Sequence, residues 1–574
     1  MSSTSPAVDF ADRRAVVETR FGTLQGVYEE GTYVYRGIPF AAPPVGELRF
    51  RPPAPAPSWP GVRDASRAGP ASAQINSSNA GRVRQLITEL DPGVPGIVSW
   101  PPYTPATYDQ PNASEDCLYL DIWVPARVEA TVPVYLYFHG GANAVSSGSF
   151  HLERGANLAR DAQVVVVRPN YRMGALGWVH FGLLDGSPGD AVNLGLQDQV
   201  AALQWVHDNI AAFGGDPDRI TAAGESAGAT AVSHLLTNPG ARPLIRRAVL
   251  QSLSPFNNWC TQRRPEAEQV ARLYLELLGI DDPGALATVE VERLLAVQNI
   301  MTRYVPADAN VAWRPLGAVV DGEWVPEQPA SYLSTPQPDL DRIGAEKSLE
   351  VVVGFARDEW QFFRGHSPTA RHGTEEAVHT VVEQVFGDRT GGVLEQFRAL
   401  RPPGTAPGVA LSDLMSFEFF AMSSLAIAAN LARAGIPVWV FQFSWDLPGL
   451  QGELRAVHTG DTPFLFRNYS EADLARWPAF EGIDRARVGR ISREMGEHYR
   501  RFIHHGEPGA DWTPFDESTG NVLWFGTDLR MCPGLLRRQQ AAVTAAGIDS
   551  VDTLDRILVA NLHRRLGHHP AESD

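Results

Sequence analysis

Apolar and polar residues alternate along "VVETRFGTLQGVYEEGTYVYRGIPFAAPP" (residues 16–44), around Gly22, Gly26 and Gly31. That period of two, broken by glycines, predicts a small N-terminal antiparallel β-meander. Pro, Gly and Ala then dominate to about residue 75, as in an extended wrapping segment. Residues 76–112 show little periodicity and read as a long surface loop, a lid-like insertion, with a helical piece near "GRVRQLITEL". "LYLDIWVP", "VPVYLYFHGG" and "DAQVVVVRPNYR" are strand candidates, and the valine run suits a strand buried on both faces. In "NLGLQDQVAALQWVHDNIAAFGGD", Leu196, Val200, Leu203 and Ile210 keep to one side of a helix that Gly214-Gly215 ends. "DRITAAG" follows as a strand and "AGATAVSHLLT" as a helix. "RRAVLQSL", "LEVVVGFARDE" and "PVWVFQFSW" continue the strand series, with mainly helical stretches at 263–300, 366–436 and 485–505. Strand, helix, strand, helix implies an α/β fold with a large, mostly parallel central sheet and helices on both faces. There is no internal repeat and no linker polar enough to split the chain. The expected organisation is one domain over 15–562 between loose polar tails, 1–14 and 563–574.

The bulk properties narrow the function. A net charge of −17 would repel phosphate backbones, so nucleic acid is not an expected partner. Lys347 is the only lysine and follows Glu346, which excludes a P-loop. Three cysteines, Cys117, Cys260 and Cys532, are too few and too uneven for a disulfide framework and suggest a reducing compartment. The N-terminus lacks the apolar core of a signal peptide, and no run of 18 uncharged apolar residues suggests a membrane span. A cytoplasmic home without membrane contact is therefore expected, as a monomer or homodimer. The N-x-S triplets at Asn76, Asn112 and Asn468 then read as chance matches. No H-E-x-x-H, C-x-x-C or G-x-G-x-x-G occurs, so neither metal nor organic cofactor is expected.

One short stretch carries candidate chemistry. Gly224-Glu225-Ser226-Ala227-Gly228 joins a strand candidate to a helix candidate, the setting of a nucleophile elbow. Such a turn strains the serine backbone, so its flanks must be small. It also sets the hydroxyl at a helix N-terminus, where N–H groups favour negative charge. Glu225, beside the nucleophile, reads as a modulator of the imidazolium or as a buried structural carboxylate. Gly140 and Gly141 leave a buried strand and can offer bare N–H groups as an oxyanion hole, with Ala227 adding a third. In an α/β-hydrolase the acid follows the serine and the histidine comes last. The strand "LEVVVGFARDEWQFF" offers Asp358 or Glu359 as the acid, and His458 in "LRAVHTGDTPFLF" stands out among the later histidines.

With these residues in view, the chain resembles the type-B carboxylesterases, the cholinesterase-like branch of the α/β hydrolases, especially its bacterial para-nitrobenzyl-esterase-like members. The matching blocks are "YRGIPFAAPPVGELRF", "SEDCLYLDIWVP", "FHGGA", "NYRMGALGW", "VNLGLQDQVAALQWVHDNIAAFGGDPDRIT", "GESAGA", "LQS", "GFARDEWQFF" and "VHTGDTPFLF". They run in order over roughly residues 16–530. The resemblance implies a serine carboxylesterase with an acyl-enzyme on Ser226, His458 as general base, Glu359 as the acid, and a small ester as substrate. It implies Gly140, Gly141 and Ala227 as the oxyanion hole, Ser252 as support for the triad carboxylate and Asp413 as further acidic support. Arg36 and Glu115 fall in blocks where relatives form a structural salt bridge, which assigns them to stability. The chain departs from the family in places. No cysteine precedes Cys117 to pair with it, Ala142 and Asn143 follow the H-G-G, and 76–112 has no clear match to a choline site. Asn143 would make the acyl pocket more polar. The same machinery could also serve amides, carbamates or acyl transfer, and an inactive binding protein on this fold is the rival from another class.

Overall fold

β-Branched and aromatic runs lose little by extending and gain by packing on both faces of a sheet, and here they pair as that preference asks. The computed structural model describes residues 15–93, 110, 112–127, 130–187, 191–253, 261–301, 316–329, 349–363, 368–475, 477–545 and 547–548. The strands are β1 (Val16–Thr19), β2 (Gly22–Gln25), β3 (Val27–Glu29), β4 (Thr32–Pro39), β5 (Val62–Asp64), β6 (Tyr119–Pro125), β7 (Val132–Phe138) and β8 (Val165–Pro169). After them come β9 (Gly215–Glu225), β10 (Arg247–Gln251), β11 (Thr261–Gln262), β12 (Ala318–Val319), β13 (Glu350–Ala356), β14 (Val438–Phe443), β15 (Asn521–Phe525) and β16 (Leu529–Pro533). Among the described residues, eleven of these strands form one sheet in the order β16-β15-β14-β13-β10-β9-β7-β8-β6-β4-β3. Its centre, β8 through β15, is parallel, and its two edges are antiparallel. Every residue of β7, β8 and β10 is buried, as a parallel sheet covered on both faces requires.

The expected meander is divided. β1 and β2 pair as a hairpin and take β5 alongside in a separate three-stranded sheet, while β3 and β4 continue the edge of the large sheet. Gly26 sits at the division, where a side chain would collide with the Tyr35 ring. The helix that connects β8 to β9 runs Leu194–Asn209 and tightens into a 3₁₀ turn at Ile210–Phe213. Gly214 ends it with φ 77°, and Gly215 already belongs to β9. Leu196, Leu203 and Ile210 are buried there, and Val200 is half-buried.

The helical piece of the 76–112 segment is Ala80–Leu90. It docks through Val83, Leu86 and Ile87 on Leu295, Ala296 and Ile300, a small core apart from the main one. The remainder of that segment (94–109 and 111), both tails, Cys260 and Lys347 lie outside the described residues. Pro407–Arg433 is the one described helix long and apolar enough to cross a membrane, yet 89% of its apolar window is packed inside the molecule. It serves as a core helix. Its central turn, Phe417–Ala421, widens to π-helix and presents Phe419 and Phe420 toward the loops after β13.

Candidate active site

β9 ends at Glu225, and the helix Ala227–Thr237 begins one residue later. Ser226 makes that reversal alone, with φ 57° and ψ −124°. This is a region that non-glycine residues occupy only when their surroundings force it. The forcing is steric. A Cβ on Gly224 would lie 2.3 Å from the carbonyl carbon of Gly228, and one on Gly228 would lie 2.0 Å from the carbonyl oxygen of Phe138. Two backbone bonds close the turn, Ser226 N–H to Gln251 O at 2.9 Å and Thr230 N–H to Ser226 O at 3.0 Å. Ser226 remains half-exposed while its neighbours are buried, so the hydroxyl is reachable.

The loop after β7 runs beside this turn. A side chain on Gly140 would meet the Glu225 carboxylate at 2.8 Å and Ser226 Cβ at 3.1 Å. His139 fixes the loop: its Nδ1–H donates to Gly140 O at 2.8 Å, and its ring stacks on Tyr171 at 4.5 Å. Burial lowers the His139 pKa to about 3, so it is a neutral spacer. Gly141 (φ 106°), Ala142 (φ 53°) and Asn143 (φ 58°) follow, three successive positive-φ residues that turn the strand exit back on itself.

The turn that follows β13 carries the acid. Glu359 is fully buried and accepts Ala356 N–H on Oε1 at 2.7 Å and His458 Nδ1–H on Oε2 at 2.5 Å. Phe362, Phe363 and Phe420 ring the imidazole at 5.5, 5.3 and 5.1 Å between centroids, so its one strong polar anchor is Glu359. His458 Nε2 lies 3.2 Å from Glu225 Oε1, without the alignment of a hydrogen bond. Glu225 is itself held neutral-prone. Burial first, then the negative charges of Asp461, Glu359 and Glu153, push its carboxyl well above the usual range. Burial likewise lifts Asp461 to about 6, opposed by the bond that Gln251 Nε2 donates to it at 2.8 Å. Glu153 is paired with the fully buried Arg168. Between them Gly140, Gly141, Glu153, Glu225, Thr459, Thr462 and Trp477 line a small cavity behind the turn. A hydroxyl at a helix N-terminus, an imidazole oriented by a carboxylate and free N–H groups on an adjoining loop form the kit of acyl transfer.

A family model described as the carboxylesterase family matches residues 13–543. The chain belongs to that family. It is a carboxylic ester hydrolase, similar in sequence to phenmedipham hydrolase of Pseudarthrobacter oxydans (32% identity, covering 90% of this chain and 96% of that protein). It is similar also to para-nitrobenzyl esterase of Bacillus subtilis (29%, covering 90% and 95%). The mouse cholinesterase matches over a shorter stretch, 34% identical across 61% of this chain and 54% of that protein. In structure the esterase resembles a Geobacillus stearothermophilus carboxylesterase at TM-score 0.76 and 31% identity, covering 92% of this chain and all of the other.

Not every residue expected in this esterase lies where the resemblance puts it. Ser252 has no hydrogen-bond partner for its buried hydroxyl, so the expected bond to Glu359 is not formed and Ala356 N–H takes that place. Asp413 is engaged by Arg401 at 2.5 and 2.6 Å and touches neither Glu359 nor His458. Arg36 and Glu115 do not pair with each other. Arg36 binds Glu29, and Glu115 is held bidentately by Arg49 at 2.6 and 2.8 Å. Asn143 donates to Leu316 O at 3.1 Å and keeps its own oxygen buried and unbonded. The sequence reading missed Glu153 and Asp461. Asp461 lies three residues after His458 inside a matching block and could have been noticed, whereas nothing local marks Glu153.

Proposed function

We propose that this esterase works through an acyl-enzyme on Ser226, with His458 as base and Glu359 as the acid. The observation that carries the proposal is the 2.5 Å bond from His458 Nδ1 to Glu359, with Nε2 of the same imidazole 3.2 Å from the carboxylate of Glu225, the residue before the elbow serine. His458 Nε2 takes the Ser226 proton as Oγ bonds to the ester carbonyl carbon, and Glu359 stabilises the imidazolium that forms. Gly140, Gly141 and Ala227 N–H groups receive the oxyanion, and Ala142, next along the same turn, is a further candidate donor. The imidazolium returns its proton to the departing alcohol oxygen as the C–O bond breaks. Water then attacks the acyl carbon by the same route and releases the acid and free Ser226. Burial and the neighbouring carboxylates disfavour the charged form of Glu225 beside the imidazole. Ser226 Oγ needs to reach Nε2 only when substrate fills the site, since such bonds commonly tighten on binding. A cytoplasmic setting belongs to the same proposal, supported by the free thiols of Cys117 and Cys532.

The test is hydrolysis of p-nitrophenyl esters from acetate to octanoate, beside an amide and a carbamate series, by wild type and Ser226→Ala. Phenmedipham joins the panel because a similar protein is named for hydrolysing it. An organophosphonate should label wild type at Ser226 and leave the variant untouched. Activity surviving in Ser226→Ala would overturn the assignment of the nucleophile, and no labelling of a folded wild type would favour the binding-protein reading.

A further inference from the structure

Asp358 and Glu359 are adjacent, and only one of them faces the imidazole. We infer that Asp358 is a positioning residue that sets the distance between Glu359 and His458, an inference that rests on the triad reading above. Its side chain is 1% exposed and turned away from the site. Asp358 N–H donates to Ala456 O at 3.0 Å, and Ala456 N–H donates back to Asp358 Oδ2 at 3.3 Å. The pair closes a ring between the loop after β13 and the loop after its neighbour β14. Ala456 is fully buried and stands two residues before His458, so the ring fixes the acid loop and the histidine loop to each other at their bases.

The charge on Asp358 is what keeps its carboxylate in this position. Arg357 Nε donates to Oδ2 at 2.7 Å, Arg455 lies 3.6 Å from Oδ1, and Arg401 lies 3.9 Å from it. Arg401 is itself held by Asp413, and Arg357 also engages the exposed Asp446. Three arginines thus close on one buried carboxylate, each from a different segment: the acid loop, the histidine loop and the turn before helix Pro407–Ser416. Asp358 Oδ1 has no hydrogen bond of its own, so the cations hold it by charge. A buried side chain bound in this way has no independent freedom, and neither has the loop it clamps. A displacement of about 1 Å at a general base can lower turnover about 100-fold.

The experiment compares Asp358→Ala, Asp358→Asn and Arg455→Gln with wild type. Rates are expressed per site titrated with a serine-reactive organophosphonate, which removes any loss of folded enzyme from the comparison. Asp358→Ala should lower kcat per titrated site at least about 10-fold with KM changed less than about 2-fold. Asp358→Asn keeps an acceptor for Ala456 N–H and should recover part of that loss. Arg455→Gln, at a residue one-third exposed, should fold readily and lower kcat about 2- to 5-fold. Wild-type kcat per titrated site in both Asp358→Asn and Arg455→Gln, even with a lowered Tm, would overturn the inference and leave Asp358 a structural residue. The triad reading fails separately, by activity persisting in Ser226→Ala.

Discussion

The turn at Ser226 and the loops that carry Glu359 and His458 hold their side chains by different means. At Ser226 the constraint is backbone against backbone: Gly224, Gly228 and the Phe138 carbonyl leave room for nothing larger than hydrogen. At His458 the constraint is side chain and charge: one carboxylate on Nδ1, three aromatic rings around the imidazole, and an ion cluster beneath the loops. The first arrangement is announced by five consecutive residues, although the Phe138 carbonyl that completes it comes from β7. The second draws on segments about 100 residues apart in sequence, as the separation of 99 between His458 and Glu359 shows. A short steric motif is readable wherever it occurs, whereas a charge-held loop becomes visible only after its partners have been brought together.

Four substitutions test that contrast. Ser226→Ala removes the nucleophile without altering the turn, so kcat should drop by about 10⁶-fold while the melting temperature stays near wild type. Calorimetry beside ester kinetics decides it, and a large stability loss would mean that the hydroxyl supports the elbow. Next in size, Glu359→Gln should lower kcat about 10⁴-fold, because an amide at that position cannot stabilise the imidazolium. A variant within tenfold of wild type would assign orientation of His458 to its aromatic cage instead. Gly228→Ala should destabilise by about 3 kcal/mol, since the new methyl meets backbone that cannot step aside. Urea unfolding measures this, and an unchanged midpoint would show that the elbow yields more than its geometry suggests.

The smallest effect concerns pH. The folded-state pKa of Asp461, about 6, lies above its ordinary 3.8, so the native state binds this proton more tightly than the unfolded chain. Stability contributed by the protonated form is present below about pH 4 and is lost as pH rises through about 6. Asp461→Asn should therefore gain on wild type by about 1–3 kcal/mol between pH 4 and pH 7. Parallel denaturation curves at those two pH values would settle the sign, and an equal gap at both would remove Asp461 from the buried carboxylate group.

Much of this is legible in the sequence. The valine run of β8, the crossover helix ending at Gly214 and the strand-serine-helix order around Ser226 follow from local pattern. Other features were not legible. The residues around β13 left Asp358 and Glu359 as equal candidates for the acid, and only a family resemblance preferred Glu359. The same resemblance implied Ser252 as support for the triad carboxylate, whereas its buried hydroxyl has no hydrogen-bond partner in the structure. The meander looked continuous in sequence, yet its two hairpins belong to different sheets, since hydropathy alternates alike in both.

What the sequence determined by itself is what short-range sterics and burial decide: where strands and helices lie, and that a serine must stand in a strained turn flanked by glycines. Tertiary structure decided which of two adjacent acids meets the histidine, which arginines neutralise the other, and that Glu153, Glu225 and Asp461 gather near the nucleophile. Those outcomes rest on electrostatics between groups distant along the chain. Their strength depends on distance and on the water excluded around them, and both are fixed only when the sheet is assembled.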